Sequence, residues 1–397
     1  MRLNNWGGLR RIMSTDKALV SLALQFVANG YVYSTYVTRL PIIRGNTEVS
    51  LGTLGTIITI SNAAALVGGF AAPRLLARFS SRAVLVTGGL IYVLALPVLG
   101  LTHSVSLLTV SLVVFVLASI YVDVAINVQS AMLNDRRRTP VMSRLQGMFS
   151  LGTVVGSVAA ATAAAVRFSD AGYLILVVVA LVCLVLLVGR HLEPVDVSIA
   201  IGTPATTNRT VSVRSLVILA ILVAGVFAVP LDIVPGEWAT FRMTDDLNAS
   251  PTIATAGYVV FTVGLMLGRL TGDFFIQKFG FGRCSFGGSV TSAVGIATAT
   301  LIPSRIVALI GFFVVGLGIS VLSPVLTLVA ARVPGRTGRG VTVLLVGDRL
   351  AGLIVPVVVG TLADSPTLGV GAAMALVALP SAAILLVSSA VAIRRIR

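Results

Sequence analysis

Charge is what this chain has least of. Only 11% of its 397 residues are charged, where a soluble domain carries about 25%. That leaves too little polar surface to cover a water-soluble globule of this length. Cysteine is scarce as well: Cys183 sits in an apolar segment and Cys284 beside a loop, so a disulfide framework is excluded. The two histidines, His103 and His191, fall outside the apolar segments. No H-E-x-x-H, G-x-S-x-G or phosphate-binding loop occurs, and no Cys/His cluster has metal-ligand spacing. An enzyme is therefore not expected, nor a cofactor or a metal.

What the chain does have is apolar length. Hydrophobic residues make up 56% of it, in runs of roughly 20 or more, the length that spans a bilayer. "YLILVVVALVCLVLLVG" (173–189) is one such run. The reading is an all-α polytopic membrane protein of twelve spans, six in residues 1–190 and six in 215–397, joined by a polar cytoplasmic linker at 191–214. The spans run at 17–40, 50–77, 83–101, 105–134, 139–166, 170–190, 215–243, 250–278, 284–302, 305–332, 338–363 and 368–393.

The net charge of +15 could suggest nucleic acid, but the cations form small clusters between spans and no basic domain. Of the 29 Lys and Arg, 23 lie on the side of the two termini. That asymmetry puts both termini in the cytoplasm. The basic N-terminus before Ala18 reads as the approach to an uncleaved first span.

The two halves repeat at an offset of 200 residues. "GGFAAPRLLARFS" (68–80) matches "GRLTGDFFIQKFG" (268–280) through Gly68/Gly268, Arg78/Lys278 and Phe79/Phe279, while Asp273 stands where the first copy has Pro73. Ser50/Ser250, Gly147/Gly347, Gly152/Gly352 and Val155/Val355 keep the same offset. A repeat of equal topology implies a pseudo-two-fold axis along the membrane normal.

Ionisable groups inside spans are costly and usually face a cavity. Asp123 lies in the fourth span on one helical face with Ser119, Asn127 and Ser130, at i, i+4, i+8 and i+11. That stripe reads as cavity lining, or as polar glue between helices. Gln25, Asn29, Tyr33 and Tyr36 form a similar face of the first span, suited to a polar or amphipathic organic substrate. In the seventh span, "VPLDIVPGEWATF" (229–241), Pro230, Pro235 and Gly236 are expected to interrupt the helix, with Asp232, Glu237 and Trp238 around the break. Glu237 could equally sit at the outer water interface. Asp348 and Arg349 in the eleventh span serve either a charged substrate group or a structural ion pair with another span. Asp123, Asp232, Glu237 and Asp348 are the candidates for proton coupling. Gln25, Asn29, Tyr33, Tyr36, Asn127, Trp238 and Arg349 are the candidates for substrate contact.

The repeat and its charged turn resemble the major facilitator superfamily, whose turn reads roughly G-x-x-x-D-[RK]-x-G-[RK]-[RK]. The second copy keeps Gly268, Gly272, Asp273, Lys278, Gly280 and Arg283, and the first keeps Gly68, Arg74, Arg78 and Arg82. A narrower resemblance is to bacterial inner-membrane permeases related to the fucose permease: Arg39-Leu40-Pro41, Asp123 to Gln129, "MSRLQGMFSLG" (142–152) and Trp238, with Gln146 where a histidine is usual. The resemblance implies a proton-coupled secondary transporter of a small organic solute, working by alternating access as a monomer in the lipid bilayer. It also implies that Asp273 approaches the start of the fifth span, near Arg144, so that Arg74, Arg78, Arg144, Asp273 and Lys278 are gating candidates. A drug or metabolite efflux antiporter is the alternative, disfavoured because the fifth span lacks proline. A non-transporting receptor or scaffold on the same fold is a third reading.

Overall fold

In the computed structural model, residues 5–137, 142–192, 215–331 and 339–396 are described. The linker from 193 to 214 lies outside them. The elements are all helical: α1 (Asn5–Thr47), α2 (Leu51–Gly69), α3 (Ala72–Arg78), α4 (Ser81–Leu101), α5 (Val105–Arg137), α6 (Met142–Ala165), α7 (Asp170–Gly189), α8 (Ser215–Ala228), α9 (Pro230–Phe241), a π turn (Arg242–Asp246), α10 (Pro251–Leu301), α11 (Arg305–Ala331), α12 (Arg339–Ala363) and α13 (Gly369–Ile396). Eleven segments among the described residues are long and apolar enough to cross a membrane. The polar face of α1, with Gln25, Asn29 and its tyrosines, keeps that helix from qualifying on apolarity.

Contacts divide the chain into two compact units. One holds Met1–Tyr36, Ala64–Gly156 and Phe168–Gly202; the other holds Val37–Ala63, Ser157–Arg167 and Thr203–Arg397. In the first, Leu22, Phe26, Leu76, Leu85, Ala125, Ile126 and Leu145 form a buried core. Helices there approach to backbone distance at glycines. A Cβ on Gly30 would lie 2.2 Å from the Phe149 carbonyl oxygen, and one on Gly152 would lie 2.1 Å from that of Val27. In the second unit α8 and α12 cross in the same manner, where a Cβ on Gly347 would lie 2.5 Å from Leu222 O.

The repeat is visible in the backbone. Glu48 and Asn248 both take left-handed conformations, with φ of 54° and 49°, each two residues ahead of the paired serines Ser50 and Ser250. Gly68 packs on Leu117 and Tyr121 of α5, and the Tyr121 hydroxyl donates to the Gly68 carbonyl at 3.0 Å. Gly268 packs on Ser320 of α11. Each glycine therefore marks where the second helix of its repeat meets the fourth.

Beyond those glycines the copies diverge. Proline lacks an N–H and clashes with the carbonyl four residues back. Accordingly, α2 ends at Gly69 and Pro73 lies in the first turn of the separate α3. With aspartate at 273 the helix runs on to Gly280, where φ 76° and ψ 165° fold α10 back on itself. The loop expected between the eighth and ninth spans is a single glycine bend. The seventh span also departs from expectation. Only Pro230 interrupts it, and Pro235 and Gly236 lie inside α9. Pro235 is the sixth residue of α9, past the first turn, so it leaves one i→i−4 bond unmade without ending the helix.

Candidate functional site

Two polar groupings lie within the apolar spans, one in each unit. In the first unit, Asn29 of α1 donates from Nδ2 to Oδ1 of Asp123 on α5 at 2.8 Å. Asn29 is buried while Asp123 is exposed, so a buried amide holds a carboxylate that reaches out of the packed core. Asn127, also exposed, donates to the backbone carbonyl of Asp123 at 2.7 Å. The two serines of the same stripe turn onto their own helix instead, Ser119 to Val116 O and Ser130 to Ile126 O, each at 2.7 Å. The stripe thus splits into an outward Asp–Asn pair and two inward serines.

One turn before Asn29, Gln25 is 2% exposed, and its Oε1 has no hydrogen-bond partner among the described residues. Oδ1 of Asn29 is in the same condition. A buried acceptor without a donor costs about 1–3 kcal/mol, and a solute bearing hydroxyl or amine donors would relieve it. The tyrosines separate. Tyr33 is half-buried, whereas Tyr36 is buried with its ring 5.0 Å from Phe115, which in turn lies 4.4 Å from Tyr92.

In the second unit the acids gather around α9. Glu237 is 8% exposed and its Oε2 is unpartnered among the described residues; so are the Trp238 Nε1 and the Thr240 hydroxyl. Glu237 therefore lies in the interior and not at a water interface. Asp232, one turn earlier and exposed, is within electrostatic reach of Glu237, Tyr258, Asp348 and Arg269. Asp348 is half-buried and feels both Arg349, which is exposed, and Asp232. The Trp238 ring packs on Phe241 at 5.5 Å. The grouping therefore offers one buried carboxylate oxygen, one indole N–H and one hydroxyl, beside two further acids and two guanidinium groups.

Sequence reasoning missed Arg269 and Tyr258. Arg269 lies within the span Pro251–Gly272, three residues before its end, and its charge inside an apolar segment was the available signal. A groove of about 550 Å³ lined by Phe275, Phe279, Arg283 and several glycines lies between the two arms of α10 and α11. It contains none of these acids, and its glycines account for it as a packing gap.

The gating candidates are exposed at helix ends. Arg78 lies 5.5 Å from the Phe79 ring, and the Lys278 ammonium lies 5.6 Å and 5.5 Å from the rings of Phe274 and Phe279. Arg74 and Arg144 are exposed. The side chain of Asp273 lies outside the described residues.

The profile of the Major Facilitator Superfamily matches residues 22–236, more than half of the chain. An uncharacterised MFS-type transporter of Yersinia pestis is 27% identical over 310 residues, 77% of this chain and 78% of that protein. Among solved structures, the D-xylose–proton symporter superposes with a TM-score of 0.73 at 16% identity, covering 93% of this chain and 96% of the other. The fucose:proton symporter FucP of E. coli gives 0.60 at 15% identity, covering 94% and 98%. The twelve-span fold of two pseudo-symmetric six-helix halves read from the apolar runs is the fold of these proteins, with α1 as the span that its polar face disguised.

Proposed function

Because the chain belongs to the Major Facilitator Superfamily, we propose that it is a secondary active transporter, carrying a small organic solute across the cytoplasmic membrane by alternating access and coupled to protons. Both termini face the cytoplasm in this reading, which the Lys and Arg asymmetry supports. The two six-helix halves, 1–190 and 215–397, rock about a site near the bilayer midplane.

The observation that carries the reading is the Asn29–Asp123 pair. A carboxylate inside apolar spans is expensive. Here it is exposed and held by a neutral amide at 2.8 Å, an arrangement that leaves it able to take up and release a proton as the surroundings change. In this reading Gln25, Asn29, Tyr33, Tyr36, Asn127, Trp238 and Arg349 are the substrate contacts, with Asp232, Glu237 and Asp348 as further proton carriers. The relatives support a solute rather than a macromolecule, since the xylose and fucose symporters are named for small hydroxylated solutes and for protons.

The test is transport in proteoliposomes against a metabolite panel under an imposed pH gradient. Asp123→Asn is expected to abolish gradient-driven accumulation while keeping counterflow exchange. Accumulation equal to the parent would overturn the coupling role.

A further inference from the structure

The end of α1, the start of α2, the π turn and the end of α12 fall in one contact unit, joined by polar contacts that the transport site does not use. Asp364, the residue after α12, accepts two backbone hydrogen bonds. Its Oδ1 takes the N–H of Leu51 and its Oδ2 the N–H of Gly52, each at 2.8 Å. These N–H groups open α2, where no intrahelical partner exists and the helix dipole is positive. The carboxylate therefore caps a helix that lies more than three hundred residues away in sequence.

Close packing backs this cap. A Cβ on Gly360 would lie 2.4 Å from Leu51 O, and one on Gly55 would lie 2.2 Å from Pro356 O. Asn62 of α2 donates to the Gly352 carbonyl at 3.0 Å. Beside them, Arg44 of α1 forms an ion pair with Asp245 of the π turn, and its guanidinium carbon lies 6.0 Å from the Phe241 ring centroid. At the 200-residue offset, Asp364 corresponds to Ala164 and Asp245 to Gly45. Neither acid has a counterpart, so this fastening is built once, with both of its acids in the second half.

We infer that Asp364 is the latch of the outer gate: its two-pronged cap on α2, backed by the Arg44–Asp245 pair, holds the outer ends of α1 and α2 on α9 and α12. Releasing it is the step that opens the site to the outside. The inference rests on the orientation and alternating access proposed above. The contact suits a latch because it is polar and directional. Once both partners reach water, the carboxylate and the N–H groups are solvated again, so opening exchanges bonds and strands no buried charge.

The experiment measures distance, not transport. Spin labels on Thr53→Cys and Thr367→Cys, both exposed positions, in a Cys183→Ser/Cys284→Ser background report the α2–α12 separation by pulsed EPR in liposomes. Asp364→Asn keeps the shape but offers one acceptor oxygen where two are needed. The long-distance population is expected to rise about tenfold relative to the short one, the loss of a charge-assisted bond. Arg44→Gln should shift the same distribution in the same direction, and the exchanged pair Arg44→Asp with Asp245→Arg should return it. If Asp364→Asn does not yield monodisperse protein, Arg44→Gln alone decides. An unchanged distribution in folded variants refutes the latch even where the parent transports. A parent that moves no solute under any gradient refutes the transport reading, whatever the distances show.

Discussion

Gly152→Ala sets two opposing effects against each other in a single methyl group. Alanine is the better helix former, by about 1 kcal/mol, so an unpacked helix would gain from the change. At Gly152 the new Cβ would stand 2.1 Å from the carbonyl oxygen of Val27 and 2.8 Å from its carbonyl carbon. Relief needs α1 and α6 to part by about 1 Å, and overpacking of that kind costs roughly 1–3 kcal/mol. The clash therefore wins. Val27 lies between Gln25 and Asn29, so the displacement falls on the helix that holds Asp123. A 2.8 Å hydrogen bond lengthened by about 1 Å ceases to be one. Gly147, five residues earlier on the same helix, meets nothing within 4 Å and supplies the control. Expected in detergent are a lower Tm for Gly152→Ala and a Tm at or above the parent for Gly147→Ala. In proteoliposomes, the first variant should lose accumulation and the second retain it. A Gly152→Ala protein as stable and as active as the parent would refute both the close crossing and its link to Asn29.

Two further outcomes follow from the same reasoning. Gln25→Ala and Asn29→Ala should each weaken solute binding by roughly 1–3 kcal/mol, measured as Kd in purified protein whose Tm is unchanged; normal binding would make the polar face of α1 structural. By the gating role that the resemblance implies, Asp273→Asn should raise labelling of cysteines introduced on the cytoplasmic side of the cavity and slow transport; parent-like labelling and transport would reduce Asp273 to a packing residue.

The spans were legible because apolar length is a local property, and α1 shows its limit. The residues that make α1 interesting, Gln25 and Asn29, are those that make it look least like a membrane helix. The repeat was legible in outline and misleading in detail. Gly147 matches Gly347, but only Gly347 sits in a helix crossing. Gly152 matches Gly352, but only on Gly152 would a Cβ meet a neighbouring helix. Equal spacing preserved the residue and not its packing, because the helices opposite differ between copies. Pro73 could be read as a lost acid, but its larger effect, splitting one helix into α2 and α3, depended on the backbone. Asp123 and Asn29 were each found as members of separate stripes; their bond joins helices 94 residues apart. Asp364 left no signal at all. It reads as an ordinary loop acid, and its partners are backbone N–H groups, which every sequence position offers alike.

The bend at Gly280 bears on how the chain enters the bilayer during synthesis. As one continuous rod, the 51 residues of α10 would measure about 77 Å, well beyond the 40–45 Å of a membrane with its headgroups. Folded at Gly280 they become two crossings. Nothing crowds that glycine, so it is its backbone conformation, costing other residues about 1–3 kcal/mol, that reserves the position. Were the fold-back to fail and the segment to cross once, the parity of every later span would invert. In the orientation proposed above, Arg305 would then be delivered to the cytoplasm and the arginines of the C-terminus to the far side. One backbone angle therefore stands guard over the sidedness of the last hundred residues, and the charges beyond it pull insertion the same way.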